Sequence, residues 1–300
     1  MTILAVVGPS ASGKSAAAVE IARARIAAGR PTEVVAVDAF TVYRGMDIAT
    51  AKPSAAVRAE IPHHLVDVLA PYQELTAAAF RRLARQTIDD IRARGATPLL
   101  VGGSGLYFRA VVDPLSFPPT DPAVRAALER RWADDPHGAH AHLAARDPQA
   151  ADRIEPGNLR RTVRALEVIE LTGGGFSDFD DGFDRYESIY DDLVVGYLEP
   201  DGATLRERIE RRAATMVEQG LLDEARSLGA AGTLSRTAAQ AIGYAEAFAA
   251  LDGVLAEEQL APAVARRTWR YAKRQRSWFR ADPRCVAQGV EELIVRFTAA

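Results

Sequence analysis

Gly8-Pro9-Ser10-Ala11-Ser12-Gly13-Lys14-Ser15 has the spacing of an anion-binding loop: two glycines around four residues, then Lys and a hydroxyl. Backbone amides in such a loop converge on phosphate oxygens, and a helix starting near Lys14 adds the positive end of its dipole. Lys14 supplies a mobile ammonium, and Ser15 a hydroxyl able to join the oxygen shell of Mg2+. Asp38 ends an apolar run and is placed to hold a metal, cap a helix or accept a proton. Gly102-Gly103-Ser104-Gly105 ends another such run without a carboxylate. Phosphoryl-transfer proteins usually put an acid there for the metal. The loop therefore admits either a nucleotide or another diphosphate.

The elements that must position these groups alternate along the chain. Ile3 to Val7 and Glu33 to Val37 read as buried strands, and Ser15 to Ala28 as an alanine-rich helix. A helix is expected from Thr76 to Arg94, with Ala79, Leu83, Thr87 and Ile91 on one stripe, followed by a strand from Pro98 to Val101. Such alternation implies a parallel sheet covered by helices. After Val112 the pattern becomes proline-rich and then polar-helical, and Gly173 to Asp192 is rich in Gly, Asp and Phe. A strand from Leu193 to Leu198 resumes the first pattern. The expected organisation is a core of residues 1–112 and 193–300 around a helical insert, 113–192. Gly220, Gly232 and Gly243 mark helix ends or close packing.

Composition bounds the partners. The 300 residues carry a net charge of −3, so any nucleic-acid surface must be locally basic. From Arg266 to Arg284 there are eight basic residues and one acidic one. Arg266, Arg270, Lys273 and Arg274 share a helical face, and Trp269, Tyr271, Trp278 and Phe279 offer surfaces for stacking. A solvated basic helix with core aromatics would look the same. Only three lysines, Lys14, Lys52 and Lys273, stand against 34 arginines, which singles out the places where a compact ammonium matters. The lone Cys285 excludes an internal disulfide and is expected to be inert. No apolar run is long enough to cross a bilayer and no secretory signal is apparent, so a cytoplasmic protein without a membrane partner is expected. His137, His140 and His142 do not share one helix face and read as solvated rather than metal-binding.

Further stretches follow the loop in order. They are Asp38-Ala39-Phe40-Thr41-Val42-Tyr43-Arg44-Gly45-Met46-Asp47-Ile48, Thr50-Ala51-Lys52-Pro53, Pro62-His63-His64-Leu65-Val66-Asp67 and Val101-Gly102-Gly103-Ser104-Gly105-Leu106-Tyr107. Arg164-Ala165-Leu166-Glu167-Val168 and Lys273-Arg274-Gln275-Arg276-Ser277-Trp278-Phe279-Arg280 come later. Together they resemble the tRNA dimethylallyltransferases (tRNA isopentenyltransferases) over about residues 3–284. The resemblance implies an α/β fold, a P-loop NTPase-like parallel sheet flanked by helices with an inserted helical domain. It implies that Gly8 to Ser15 grip dimethylallyl diphosphate with Mg2+ at Ser15, and that Asp38 takes a proton from the adenine amine. Ser104 would sit near the reacting groups, with Lys14 and Arg208 on the diphosphate. The tRNA anticodon loop would be met by Asp38, Ala39, Phe40, Thr41, Ser104, Arg125, Arg160, Arg161 and Arg164. Gln240, Gly243, Tyr244, Lys273, Arg274, Gln275, Trp278 and Arg280 would complete that surface, on a monomer. His63 and His64 fall in a family motif without an assignable step.

The chain departs from the pattern at Ala39, where Ser is usual, at Ala49, where Gly is usual, and around Val286 to Gln288, where an aromatic-apolar-Asp ending is missing. Loss of the Ser hydroxyl predicts weakened or altered RNA recognition with the chemistry retained. Three other readings use the same residues: a kinase with Asp38 activating a hydroxyl, prenylation of free AMP or ADP, and a silent RNA-binding relative. The first two leave the basic tail without a purpose. The third sits badly with the presence of Lys14, Ser15, Asp38 and Ser104.

Overall fold

The computed structural model describes residues 2–179 and 182–300; Asp180 and Asp181 of the expected insert lie outside them. Along the chain come β1 (Ile3–Val7), α1 (Lys14–Ala27), β2 (Thr32–Val37), α2 (Ala55–Glu60), β3 (His63–His64), α3 (Ala77–Ala93), β4 (Thr97–Gly102) and α4 (Gly105–Val112). Four helices follow: α5 (Pro122–Trp132), α6 (Pro136–Arg146), α7 (Pro148–Asp152) and α8 (Leu159–Thr172). Then come β5 (Leu193–Leu198), α9 (Gly202–Glu218), α10 (Leu221–Ala231), α11 (Arg236–Ala239), α12 (Tyr244–Leu251), α13 (Leu260–Ala281), β6 (Ala287–Gln288) and α14 (Val290–Ala299). The six strands pair in the order β3-β2-β4-β1-β5-β6, parallel throughout.

The strand period separates two apolar layers. Ile3, Ala5 and Val7 of β1 face a cluster completed by α3, α4, α9 and α13; Leu4 and Val6 face α1 and α14 through Ile21, Leu293 and Phe297. All five β1 residues are fully buried, as a central parallel strand with helices on both sides requires. Each large apolar side chain among them contributes roughly 1.5–3 kcal/mol. The α3 stripe differs from the expected one: Phe80, Ala84, Ile88 and Ile91 are buried, whereas Leu83 is 42% exposed. Spacings of four, four and three fit the helical period as well as the expected stripe does. The large Phe80 ring, edge-on to Tyr107 at 4.8 Å, sets the helix rotation.

The chain divides into two compact units, Met1–Asp113 with Tyr186–Ala300, and Pro114–Arg185. The return to the first unit comes earlier than the expected 192, because Ile189 N donates to Val112 O at 2.8 Å and Arg92 pairs with Asp192 at 3.0 Å. In the second unit α5, α6 and α7 each start at Asp-Pro, with Asp121, Asp135 and Asp147 as caps. The carboxylate accepts from orphan first-turn amides, and proline at the first helical position has no amide to lose. This unit has its own core around Leu128, Leu143, Val163 and Leu166.

Candidate active site

The anion loop joins β1 to α1. Ala11 (φ 65°) and Gly13 (φ 95°) both lie in the left-handed region, a conformation that costs a non-glycine residue about 1 kcal/mol or more. Gly8 is required by close approach, since a Cβ there would stand 2.5 Å from Leu198 O. Gly13 caps α1 with no side chain, so the first-turn amides are left for a ligand. The amides of Ala11, Gly13, Lys14 and Ser15 have no acceptor among the described residues. Two others of the loop are committed: Ser12 N to Pro9 O at 3.1 Å and Ser10 N to Gln275 Oε1 at 2.8 Å. The Ser10 amide is thus held by a side chain of α13.

A cavity of about 570 Å³ opens beside the loop. Ser10, Lys14, Ser15, Asp38, Phe40 and Thr41 line it; Val34 and Val101 border it on the α1 side of the sheet, and Ile209, Met216 and Val264 on the side of α9 and α13. Burial pushes the Lys14 ammonium down to about 8, Arg212 pushes the same way, and Asp38 opposes them. Asp38 Oδ1 accepts from Phe40 N at 2.8 Å and Thr41 N at 3.3 Å, which fixes the carboxyl; Oδ2 has no hydrogen-bond partner among the described residues. Arg208 reaches the loop, Nη1 donating to Ser12 O at 3.4 Å. Ser104 caps α4, its Oγ accepting from Tyr107 N at 3.4 Å.

Several residues that line this cavity were not picked out for it in the sequence. Arg212 lines the cavity one helical turn beyond Arg208, with burial lowering its pKa and Asp38 opposing. The i,i+4 spacing on α9 was the available signal. Tyr271 also lines the cavity instead of offering an outer stacking face, and burial pushes its hydroxyl up to about 12. His63 lines it too, with burial lowering its pKa. Burial pushes the Cys285 thiol up to about 12, which keeps it protonated and inert at neutral pH.

Several residues expected on an RNA surface are engaged elsewhere. Gln275 is 4% exposed, with its carbonyl on Ser10 N and its amide donating to Gly103 O at 2.7 Å. Tyr244 is fully buried and its hydroxyl bonds Glu224. Phe279 is in the core, and Trp278 packs over Gly105, where a Cβ would meet its ring at 2.8 Å. Arg125 and Arg164 both hold the buried Glu167, at 2.6 and 2.7 Å, and Arg164 also donates to Pro118 O and Pro119 O. Burial would raise the Glu167 pKa, but Arg125, Thr120 and Arg164 hold it below its usual value. Arg280 pairs with Glu199 at 2.8 Å. Gly243 (φ 97°) lies against Ala49, with a Cβ-to-Cβ approach of 2.5 Å if it carried one, and Gln240 O accepts from Arg267. Ala39 packs against the main core cluster.

Trp278 and Arg280 keep exposed surface despite these contacts, and a further face of α13 is exposed as well. Arg266, Arg270, Lys273 and Arg274 are exposed and have no carboxylate partner among the described residues, with Arg274 stacked 5.8 Å from the Tyr271 ring. Arg160 and Arg161 are exposed at the start of α8 in the second unit.

A parallel sheet with an anion loop after β1 and a carboxylate after β2, on the far side of β4, defines a phosphate-loop protein. The model of the IPP transferase family matches residues 41–282. The tRNA dimethylallyltransferase of Thermobifida fusca is 47% identical over 286 residues, covering 94% of this chain and 88% of the relative. That of Bifidobacterium longum is 44% identical over 283 residues, covering 94% and 84%. Among solved structures, the tRNA isopentenylpyrophosphate transferase of Bacillus halodurans aligns with a TM-score of 0.71 at 37% identity, covering 99% of this chain and 94% of that one. A eukaryotic dimethylallyltransferase captured acting on tRNA aligns at 0.74 with 25% identity, covering 92% and 69%. The chain belongs to the IPP transferase family.

Proposed function

We propose that this protein transfers a dimethylallyl group from dimethylallyl diphosphate to N6 of the adenine 3′ to the anticodon of tRNA, releasing diphosphate. The observation that carries the reading is the cavity itself. An anion cradle, apolar side chains of α9 and α13 and a fixed carboxylate all line this one half-open cavity. In the reaction the ester C–O bond breaks, the N6–C bond forms, and the N6 proton passes to Asp38. A carboxylate within reach assists as the poorly nucleophilic amine loses that proton. Lys14, the free loop amides, Arg208 and Arg212 act on the departing oxygens, where negative charge grows. With the ester bound, Ile209, Met216 and Val264 would shield the cationic allyl fragment from water.

No group of three or more His, Cys, Asp or Glu side chains suited to hold a metal occurs among the described residues. The Ser15 hydroxyl lines the cavity beside the free loop amides. Such a hydroxyl suits an ion such as Mg2+, which keeps waters and takes phosphate oxygens, and leaves Asp38 to act as the base. Bound there, it would neutralise diphosphate charge. The exposed cations of α13 are the surface offered to the anticodon stem-loop, and the target base must leave its stack to reach the cavity. A monomer acting in the cytoplasm completes the reading.

The test is incubation with Mg2+, dimethylallyl diphosphate and bulk tRNA, then mass spectrometry of the nucleosides. Prenylated adenosine beside the anticodon supports the reading. Phosphorylation of an acceptor from ATP, or prenylation of AMP alone, defeats it.

A further inference from the structure

Gln275 sits on the inner face of α13, between two loops far apart in sequence. Its Oε1 accepts from Ser10 N in the anion loop at 2.8 Å, and its Nε2 donates to Gly103 O in the β4–α4 loop at 2.7 Å. The amide is buried and both ends are satisfied, so its orientation is determined rather than chosen by solvent. The fit around it is tight. A Cβ on Gly103 would stand 2.6 Å from Gln275 Nε2, 2.9 Å from Gly8 O and 3.4 Å from Lys14 Nζ. Glycine at 103 thus lets the amide, the anion loop and the lysine converge on one point. Lys273 and Arg274, the two residues before Gln275, point outward from the same helix and are exposed.

We propose that Gln275 is a positioning residue for diphosphate binding, a strut that holds the anion loop and the Gly103–Ser104 turn at a fixed separation through Ser10 N and Gly103 O. It touches no substrate on this account. It acts through the loop, which contains two residues in the left-handed region and needs outside contacts to stay there. Without the strut, Ser10 N is released and the amides of Ala11 and Gly13 lose their common aim. The inference rests on the proposed role of the loop in holding a diphosphate.

The experiment measures binding of inorganic pyrophosphate with Mg2+ by calorimetry, and KM for both substrates, in wild type and Gln275→Met. Methionine keeps the length and volume while removing both polar ends. The expected result is an affinity for pyrophosphate, and a KM for dimethylallyl diphosphate, weaker by about tenfold, the scale of one or two net hydrogen bonds. KM for tRNA should stay within about twofold on the same scale. A merely structural role would lower the active fraction, hence kcat, and leave both KM values alone; that outcome overturns the proposal, as does a wild-type pyrophosphate affinity. Should Gln275→Met not fold, Gln275→Glu carries the test. It keeps the acceptor for Ser10 N, removes the donor to Gly103 O, and is expected to raise the diphosphate KM; an unchanged value again overturns the proposal. Wild type that binds no pyrophosphate defeats the loop's role itself, which separates that failure from failure of the strut alone.

Discussion

The cations around the anion loop and those along the outer face of α13 carry the same charge under different physics. Lys14 and Arg212 are close enough to act on each other electrostatically, and burial depresses both pKa values. Crowded cations in a desolvated site are unfavourable until an anion arrives, which makes the site selective for a compact polyanion. Arg266, Arg270, Lys273 and Arg274 stand in solvent, where each charge is screened and contributes little alone. Such a face suits an extended polyanion met at many points. A third group, Arg125 and Arg164 on Glu167, looks like the second in sequence but serves internal cohesion.

The largest expected break falls in the cavity. Asp38→Asn keeps the acceptor for Phe40 N and removes the base, so turnover should fall about 10²-fold or more with tRNA affinity retained. Single-turnover rates and filter binding decide it; full activity would remove Asp38 from the chemistry. Next, Glu167→Gln should destabilise the second unit by about 2 kcal/mol. That is below the usual cost of breaking a buried pair, because Arg125 and Arg164 remain 34% and 26% exposed. Denaturant unfolding reads this, and an unchanged midpoint would return both arginines to the RNA surface.

The pH dependence sharpens the contrast further. The Lys14 ammonium, lowered to about 8, is charged below that pH and neutral above it. Affinity for pyrophosphate should therefore be full near pH 7 and fall by roughly tenfold by pH 9. Lys14→Met should bind weakly at both values with that step gone. The smallest single effects belong to α13: Arg270→Ala and Lys273→Ala should each raise KM for tRNA only a few-fold. Each should also flatten the salt dependence of binding by about 0.7–0.9 in the log–log slope. A loss as large as that of Asp38→Asn would mean that the face is not a graded electrostatic surface.

Much of the site was readable without coordinates. The anion loop, the strand-end Asp38 and the parallel alternation follow from local spacing, because each depends on neighbours within a few residues. Arg208, expected on the diphosphate, contacts the anion loop at Ser12 O. The residues whose contacts the sequence did not reveal share one feature, that a partner outside their own segment decides what they touch. Gln275 lies 265 residues from Ser10, Arg164 meets carbonyls 46 and 45 residues away, and Tyr244 turns inward to Glu224. In a helix as basic as α13, periodicity places Phe279 and Trp278 on faces but does not say which face is covered.

The sequence by itself determined the chemistry on offer: an anion loop, a carboxylate after β2 and a surplus of arginine late in the chain. These are properties of short segments, set by backbone freedom at glycine and by strand and helix periods. Only the tertiary structure decided which cations are free, because an arginine is neutralised by whichever buried carboxylate the fold brings to it. Glu167, Glu199 and Asp113 claim Arg125, Arg164, Arg276, Arg280 and Arg284, and leave the outer face of α13 exposed.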